Sequence, residues 1–291
     1  MVAEVGSTLA EPEPARPGDD RLVAAVSLAC VLEVSAPKPG NITPSHGFAD
    51  TTFADMVRSG LAIGPVLARA DRLGIGALIE QAVQATAAVA AANTNLGIVL
   101  LFAPLARAAA SRDGAETLRD AVERALADLT VADAAAAFAA IARAAPGGLG
   151  DAPEHDVRAP VRVDLRTAMA AAADRDDIAS EYATGYAIVF DAGLPALTAA
   201  LRAGRPTLEA IADLHLWLLA SRPDTLIARK AGRAAAREVA DAAGEVLRGE
   251  RTAESLDAWL RAEGNRRNPG TTADLVAATL LAALLTGVAL P

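Results

Sequence analysis

Long apolar segments, rich in alanine, alternate with short polar breaks along this chain. Most of the segments space their apolar residues with the period of an amphipathic helix. Three segments are apolar on nearly every side, as buried central helices are, and they begin near Leu22, Asn95 and Thr272. The pattern predicts an all-α fold, a single compact multi-helix bundle of about a dozen helices with buried central helices.

The same pattern, with the residues that start and stop helices, predicts where individual helices lie. One predicted helix runs without a break from Ile178 to Ala192. Residues 1–20 lack the helical pattern and are rich in Glu, Pro, Ala and Gly. They are predicted to be a disordered N-terminal tail, followed by a helical domain over residues 21–291.

The composition supports helices and narrows the functional classes. Hydrophobic residues make up 53% of the 291 residues and aromatic residues 3%, and heavy use of alanine favours closely packed helices. The formal net charge of −9 argues against a nucleic-acid-binding protein. A locally positive pocket for an anion remains compatible with that charge.

The longest apolar segments, residues 96–110 and 275–290, bear on location. Both are shorter than the roughly 18 to 20 residues that span a bilayer. They predict core helices, no membrane partner and a cytoplasmic protein. Cys30, the only cysteine, lies in an apolar helical segment and is predicted to be a small buried hydrophobic residue.

The first polar break carries the densest set of functional groups. Pro37 and Pro39 make it a stiff, extended segment that joins neither neighbouring helix. Lys38, one of only two lysines, is held on that segment, where an ammonium group suits a phosphate or carboxylate. The alternative is a loop lysine in solvent. Further candidate site residues surround it, namely Glu33, Gly40, Asn41, His46 and Asp50.

The second break, Asn93-Thr94-Asn95, comes directly before an apolar helix. Asn and Thr are strong N-cap residues, so simple capping is one interpretation. The other is an anion or ribose site at the helix N-terminus, where free N–H groups and the helix dipole favour negative charge. Both interpretations remain open.

Two histidines lie in very different surroundings. The loop over residues 146–156 places Glu154, His155 and Asp156 together, as possible ligands or as part of a flexible surface connection. His215 lies among apolar residues and is predicted to be a core histidine with its hydrogen bonds satisfied.

The last two breaks combine acids with cations or helix starts. In the first, Asp224 and Thr225 share a helical face, and Arg229 and Lys230 can reach an anion beyond it. The second leads into the last apolar helix, whose first N–H groups can cradle a phosphate. Its candidate residues are Gly270, Thr271, Thr272 and, as a metal ligand, Asp274. Neither GxxxxGK[ST] nor GxGxxG is present, which excludes the usual nucleotide folds.

Four motifs, taken in order, resemble those of one enzyme family. They are Glu33-Val34 before Pro37-Lys38-Pro39-Gly40, Asn93-Thr94, Asp224-Thr225 with Arg229, and Pro269-Gly270-Thr271-Thr272-Ala273-Asp274-Leu275. From about Leu22 onward the chain resembles the ATP:dephospho-CoA triphosphoribosyltransferase (triphosphoribosyl-dephospho-CoA synthase) family. The resemblance implies an all-helical transferase that moves the triphosphoribosyl group of ATP to the ribose 2′-hydroxyl of 3′-dephospho-CoA. Adenine is released, and the product is a prosthetic-group precursor.

The resemblance also implies Mg²⁺ as cofactor and, as partners, ATP or another phosphorylated molecule and dephospho-CoA or a related precursor. It leaves a homodimer open. The catalytic candidates are Glu33, Asp50 and Asp224, and the metal candidates are Glu33, Asp224 and Asp274. The candidates for binding substrate or phosphate are Lys38, Pro39, Gly40, Asn41, His46, Asn93, Thr94, Asn95, Thr225, Arg229, Lys230, Gly270, Thr271 and Thr272.

The chain departs from the family at two places. The family's Asn-Thr-His-Lys-Gly stands here as Asn93-Thr94-Asn95-Leu96-Gly97, and its Gly-Ile-Arg-Gly-Glu segment has no clear match. One alternative is therefore a different transfer or condensation on a phosphorylated substrate in one-carbon (methanopterin/methanofuran-type) cofactor biosynthesis. The second alternative is a non-catalytic helical nucleotide-binding or scaffold protein.

Overall fold

The computed structural model describes residues 17–144, 157 and 159–290. Within these ranges the chain forms fourteen α-helices, one π-helical segment and no strand, which confirms the predicted all-α fold. The first helix begins at Pro17, inside the stretch predicted as a tail, and residues 1–16 lie outside the described ranges. In chain order the helices are α1 (Pro17–Ser35), α2 (Phe53–Leu67), α3 (Ile75–Ala87), α4 (Leu96–Ser111), α5 (Leu118–Ala127), α6 (Val131–Ala144), α7 (Leu165–Ala170), α8 (Asp177–Thr184), the π-helical segment (Ile188–Gly193), α9 (Leu194–Arg202), α10 (Thr207–Ser221), α11 (Thr225–Ala231), α12 (Arg233–Leu247), α13 (Ala253–Arg261) and α14 (Gly270–Leu285).

Two helices, α4 and α14, lie at the centre of the bundle. They pack against each other and are buried along nearly their whole length, as Phe102 and Leu280 illustrate. This confirms the prediction that they are central. The α1 helix also packs on α14, but Leu28 is 41% exposed, so one side of α1 faces outward.

No single helix in the described ranges is both long and apolar enough to cross a membrane. Two strongly bent pairs, α5 with α6 and α8 with the segment Ile188–Arg202, would reach that length and composition only together.

Small residues let α1 and α2 approach closely. A Cβ on Gly60 would lie 2.5 Å from the Cβ of Cys30, and one on Gly64 would lie 3.0 Å from the Ser27 hydroxyl. Cys30 is buried, as predicted, and its burial raises the pKa of the thiol. Because the contact is already tight, a larger residue at position 60 would push the two helices apart.

A second, smaller hydrophobic cluster joins α10, α11, α12 and α13. Leu219, Ile227, Val239, Leu256 and Leu260 are its larger members. The cluster anchors α11 and α13, which are too short to be stable alone. This matters for function because α11 carries Arg229 and Lys230.

The predicted continuous helix from Ile178 to Ala192 is wrong. The α8 helix ends at Thr184, where Gly185 and Tyr186 adopt positive φ angles of 66° and 62°. The chain then resumes as the π-helical segment. Glycine takes a left-handed conformation without strain, but a tyrosine needs compensating contacts to stay there.

Those contacts come from the interior of α4. Pro104 has no N–H, so the carbonyl of Leu100 lacks its helical donor. The Tyr182 hydroxyl donates to that carbonyl at 2.7 Å, and the Tyr186 hydroxyl donates to the carbonyl of Leu101 at 2.8 Å. The two tyrosines thereby fix the break in the chain against the proline-containing helix.

Glu181 also stabilises the break, by binding the backbone that follows it. Its two carboxylate oxygens accept hydrogen bonds from the backbone N–H groups of Ile188 at 2.8 Å and Val189 at 3.0 Å. The residue is fully buried, and that burial raises the pKa of its carboxyl to about 7, although the two hydrogen bonds act in the opposite direction.

This raised pKa predicts a stability that depends on pH. Because the folded pKa exceeds the unfolded value of about 4.3, the protonated form favours folding, and stability falls as pH rises from about 4 through 7. We expect Glu181→Gln, which cannot ionise, to remove this group's share of the pH-dependent loss of stability, about 3 to 4 kcal/mol. Urea unfolding of both proteins from pH 4.5 to 8 measures the two slopes. Parallel slopes would contradict the assignment.

Candidate active site

A cleft of about 1020 Å³ opens where several helix ends meet. Its walls come from the end of α1, the loop before α2, the start of α4, the end of α6, α7, the start of α8, α11 and the start of α14. Ten of the residues predicted for the site line this cleft. They are Glu33, Asn41, Asp50, Asn93, Thr94, Asn95, Arg229, Lys230, Gly270 and Asp274.

The other predicted site residues stand outside the lining of the cleft. His46 is exposed, and its Nδ1 lies 3.1 Å from the Ser45 hydroxyl. The remaining ones also do not line the cleft and are Lys38, Pro39, Gly40, Asp224, Thr225, Thr271 and Thr272. The predicted ligand group Glu154, His155 and Asp156 lies outside the described residues.

Glu33 and Lys38 form a buried ion pair at the end of α1. Each side chain is 1% exposed or less, and the Lys38 ammonium lies 3.0 Å from Glu33 Oε1. The ammonium also donates to the backbone carbonyl of Glu33. Burial raises the pKa of Glu33, while the lysine charge lowers it. Lys38 would therefore have to leave Glu33 before it could contact a phosphate in the cleft.

Asp274 projects from the second turn of α14 toward the start of α4. The sequence predicted that this helix begins near Thr272, but it begins earlier, at Gly270. A Cβ on Gly97 would lie 2.0 Å from Asp274 Oδ2, so a larger residue there would displace this carboxylate. Burial, and then the charges of Glu33 and Asp224, raise the pKa of Asp274 well above its ordinary value, although Arg229 lowers it.

The Asp274 carboxylate is partly exposed to the cleft, and no side-chain hydrogen bond to it occurs within the described ranges. Asp224, by contrast, uses both oxygens. Its Oδ1 accepts from the N–H of Ile227 at 3.0 Å, and Oδ2 accepts from the N–H and hydroxyl of Thr272 at 2.7 and 2.8 Å. Asp224 thus caps α11 and ties it to α14, while Asp274 is free to meet a ligand.

Two threonines complete this junction of helix starts. Thr225 accepts from the N–H of Asp177 at 3.3 Å, and its hydroxyl lies 3.2 Å from that of Thr271. The N-terminal ends of α8, α11 and α14 are thereby joined. The side chains that hold this junction together lie beneath the surface that a ligand would touch. They are Asp224, Thr225, Thr271 and Thr272.

Cationic side chains line the cleft on α11 and at neighbouring helix ends. Arg229 donates to Asp176, and the Lys230 ammonium lies 3.4 Å from the carbonyl of Asn265. Burial lowers the pKa of Lys230, and the nearby charge of Asp50 raises it. Sequence reasoning missed three further cations that line the cleft, Arg143, Arg175 and Arg233. The sequence feature that could have identified these three cations is their position at or near helix ends.

The three side chains of the segment Asn93-Thr94-Asn95 make hydrogen bonds with different partners. Asn93 Oδ1 accepts from the N–H of Leu96 at 3.1 Å, which supports the capping interpretation for that residue. Thr94 donates to the Ser59 hydroxyl at 2.6 Å, and Asn95 Oδ1 accepts from Thr86 at 2.9 Å. The Asn95 amide nitrogen is buried without a hydrogen-bond partner in the described part of the chain.

His215 is buried, as predicted, but the expectation of satisfied hydrogen bonds is wrong. Neither ring nitrogen has a partner within the described ranges. Burial, assisted by the charge of Lys38, lowers the pKa of the ring to about 3. The imidazole is therefore neutral and stands behind the Glu33–Lys38 pair.

A resident metal site would need several convergent ligands. Within the described ranges no group of three or more His, Cys, Asp or Glu side chains is arranged to hold a metal ion. Mg²⁺ in nucleotide enzymes is commonly held by one or two carboxylates and the substrate phosphates. The donor set fits that arrangement, because Asp274 and Asp50 face the cleft with oxygens to spare.

The fold and the cleft define a class of protein: an all-helical protein with a large pocket at its helix ends, suited to a small charged ligand. The chain belongs to the ATP:dephospho-CoA triphosphoribosyl transferase family, whose model matches residues 19–289, and it is a transferase. This confirms the resemblance inferred from the motifs.

The structural comparison agrees with the family. A crystal structure from Archaeoglobus fulgidus, provisionally assigned as a triphosphoribosyl-dephospho-CoA synthase, matches with a TM-score of 0.63 and 25% sequence identity. The match covers 79% of this chain and 99% of that one. No curated protein matches the chain.

The Glu33–Lys38 pair gives a prediction about stability. We expect Lys38→Met to lower the free energy of unfolding by about 3 to 5 kcal/mol, because it leaves a buried carboxylate without its partner. Urea unfolding at pH 7 measures the loss. Replacing both residues, in Lys38→Met with Glu33→Gln, should restore part of it.

The matched control is Arg58→Met, which breaks the exposed ion pair with Asp55. Its unfolding midpoint should stay near that of the original chain, because solvent-exposed pairs contribute little. If Lys38→Met and Arg58→Met had the same unfolding midpoint, the buried pair would not contribute the stability that this prediction assigns to it.

Proposed function

We propose that this chain transfers the triphosphoribosyl group of ATP to the ribose 2′-hydroxyl of 3′-dephospho-CoA and releases adenine. The observation that carries the proposal is the partly exposed Asp274 carboxylate, without a hydrogen-bond partner among the described residues, in a cleft that also holds several cations. Family membership over residues 19–289 supplies the reaction.

The reaction replaces one bond at the anomeric carbon of the ATP ribose. The bond to adenine breaks, and its electron pair leaves with the base. The acceptor 2′-oxygen forms the new bond and gives up its proton. Positive charge develops on the sugar ring as the bonds exchange, so a nearby carboxylate stabilises the transition state.

We assign Asp274 to accept the proton of the acceptor hydroxyl, while the neighbouring Glu33 supplies the fixed negative charge that stabilises the sugar cation. The proton affinity of Asp274 is raised by burial and by the negative charge of Glu33. Lys38 in turn favours the ionised form of Glu33. Two neighbouring carboxylates with different surroundings can thus divide the roles of fixed charge and proton acceptor. The proton finally leaves with adenine.

The phosphates would lie toward α11, where Arg229 and Lys230 line the cleft. Mg²⁺, when bound, would neutralise part of the triphosphate charge, and Asp50, which lines the cleft, would hold it together with the substrate phosphates. Glu33 and Asp224, predicted as ligands from the sequence, have oxygens engaged by Lys38, Ile227 and Thr272.

The decisive assay is adenine release from ATP, measured by liquid chromatography with and without dephospho-CoA. We expect release to require dephospho-CoA and Mg²⁺, with a product whose mass is that of the acceptor plus the triphosphoribosyl group. Release that required another phosphorylated acceptor would favour the one-carbon cofactor alternative. Binding of ATP without any release would favour a non-catalytic nucleotide-binding protein.

Asp274→Asn tests the assigned base. We expect the turnover rate to fall by about 10²- to 10⁴-fold, as is usual when a general base is lost. The control is Asp191→Asn, whose carboxylate is 55% exposed, pairs with Arg119 and lies outside the cleft lining. Equal rates for Asp274→Asn and the original chain would exclude Asp274 as the base.

A further inference from the structure

We propose that Asp257 and Arg261, on α13 and outside the cleft, are positioning residues that set the backbone of residues 38–51 for binding of the phosphorylated donor. These residues (hereafter the 38–51 loop) contribute Asn41, Phe48 and Asp50 to the cleft wall. The proposal rests on the proposed function for the identity of the donor as ATP.

The contacts between α13 and the loop are specific and polar. The N–H of Gly40 donates to Asp257 Oδ1 at 2.7 Å. Arg261 Nε lies 2.8 and 2.9 Å from the two oxygens of the same carboxylate, and Arg261 Nη2 donates to the backbone carbonyl of Asn41. One ion pair on α13 therefore binds both a donor and an acceptor of the loop backbone.

The loop backbone lies directly against α13 at Gly40. That residue has a φ of +74°, and a Cβ there would lie 2.5 Å from Leu260 Cδ1. Both the conformation and the space require glycine. The approach brings the N–H of Gly40 within reach of Asp257, so packing and hydrogen bonding select the same backbone path.

The consequences extend to side chains that face the ligand. Beyond Asn41, the Arg261 guanidinium stands 5.7 Å from the centre of the Phe48 ring, which lines the cleft. The Asn41 amide nitrogen donates to Asn268 Oδ1 at 3.0 Å, and Asn268 also lines the cleft. At the start of the loop, just before these contacts, Lys38 is held by Glu33. Without the α13 contacts, Asn41 would lose its fixed backbone and Phe48 would lose the guanidinium that its ring packs against.

A planar guanidinium suits this task because its N–H groups point in fixed directions. It can pair with a carboxylate and donate to a separate carbonyl at the same time. A lysine ammonium at the same place would keep the charge but lacks the fixed fork. Arg261→Lys should therefore retain the charge while holding the loop less well.

The chain offers a closely matched control on the same part of the fold. Arg251 pairs with Glu245 at 3.3 Å and stands 5.4 Å from the centre of the Trp259 ring. It thus has an acidic partner and an aromatic partner, as Arg261 does, and it does not line the cleft. Neither of these contacts reaches the 38–51 loop.

The experiment compares ATP binding, by calorimetry with Mg²⁺ present, for the original chain, Arg261→Met, Arg261→Lys and Arg251→Met. We expect Arg261→Met to raise the dissociation constant about 10- to 100-fold, as loss of an orienting group does elsewhere. Arg261→Lys should fall between it and the original chain. Arg251→Met should bind ATP as the original chain does, even if its melting temperature falls by a similar amount.

Equal weakening by Arg251→Met and Arg261→Met, or no weakening by either, would overturn the positioning role. If Arg261→Met does not fold, the comparison of Arg261→Lys with Arg251→Met decides in the same way. Binding needs no turnover, so an original chain that binds ATP but releases no adenine with dephospho-CoA would refute the proposed reaction alone. An original chain that does not bind ATP would overturn both proposals.

Discussion

The burial of negative charge is the constraint on which the cleft depends. Asp176, Asp224 and Asp274 lie around the starts of α8, α11 and α14, with Glu33 near them at the end of α1, and the charges of the other three acids raise the pKa of Asp274. Buried carboxylates are tolerated when each is paired or hydrogen bonded. Lys38 forms an ion pair with Glu33, and Arg229 forms one with Asp176. Backbone N–H groups donate hydrogen bonds to Asp224. Within the described ranges the Asp274 carboxylate has no ion-pair or hydrogen-bond partner, so that partner must come from a ligand.

The fold could be predicted from the sequence because apolar periodicity and alanine content both report on helices. The same local signals failed between Ile178 and Ala192, where the apolar pattern continues through a break in the helix. That break depends on hydrogen bonds from Tyr182 and Tyr186 to α4, which is distant in sequence. A proline that frees a carbonyl in one helix therefore shapes another, and no local pattern records such a pairing.

The site was predictable to the extent that helix ends gather polar residues. The sequence identified Asp274, Arg229 and Asn41, which line the cleft, because each stands at a polar break. It could not tell which way a side chain points. Lys38 and Asp224 stand at similar breaks, yet each is 1% exposed and turned toward a partner in the wall. Arg175 lines the cleft between two short helices, where only the packing of α7 on α8 places it.

The departure from the family motif at Asn95 and Leu96 has a physical counterpart in the cleft. Leu96 is buried, so no cation projects from the start of α4. Positive charge comes from other elements, since Arg143, Arg175 and Arg233 line the cleft from the end of α6, the approach to α8 and the start of α12. Charge attracts a polyanion according to its position in space and not its place in the sequence. The loss of one motif cation therefore changes where the cleft is positive and leaves it able to attract a phosphorylated ligand.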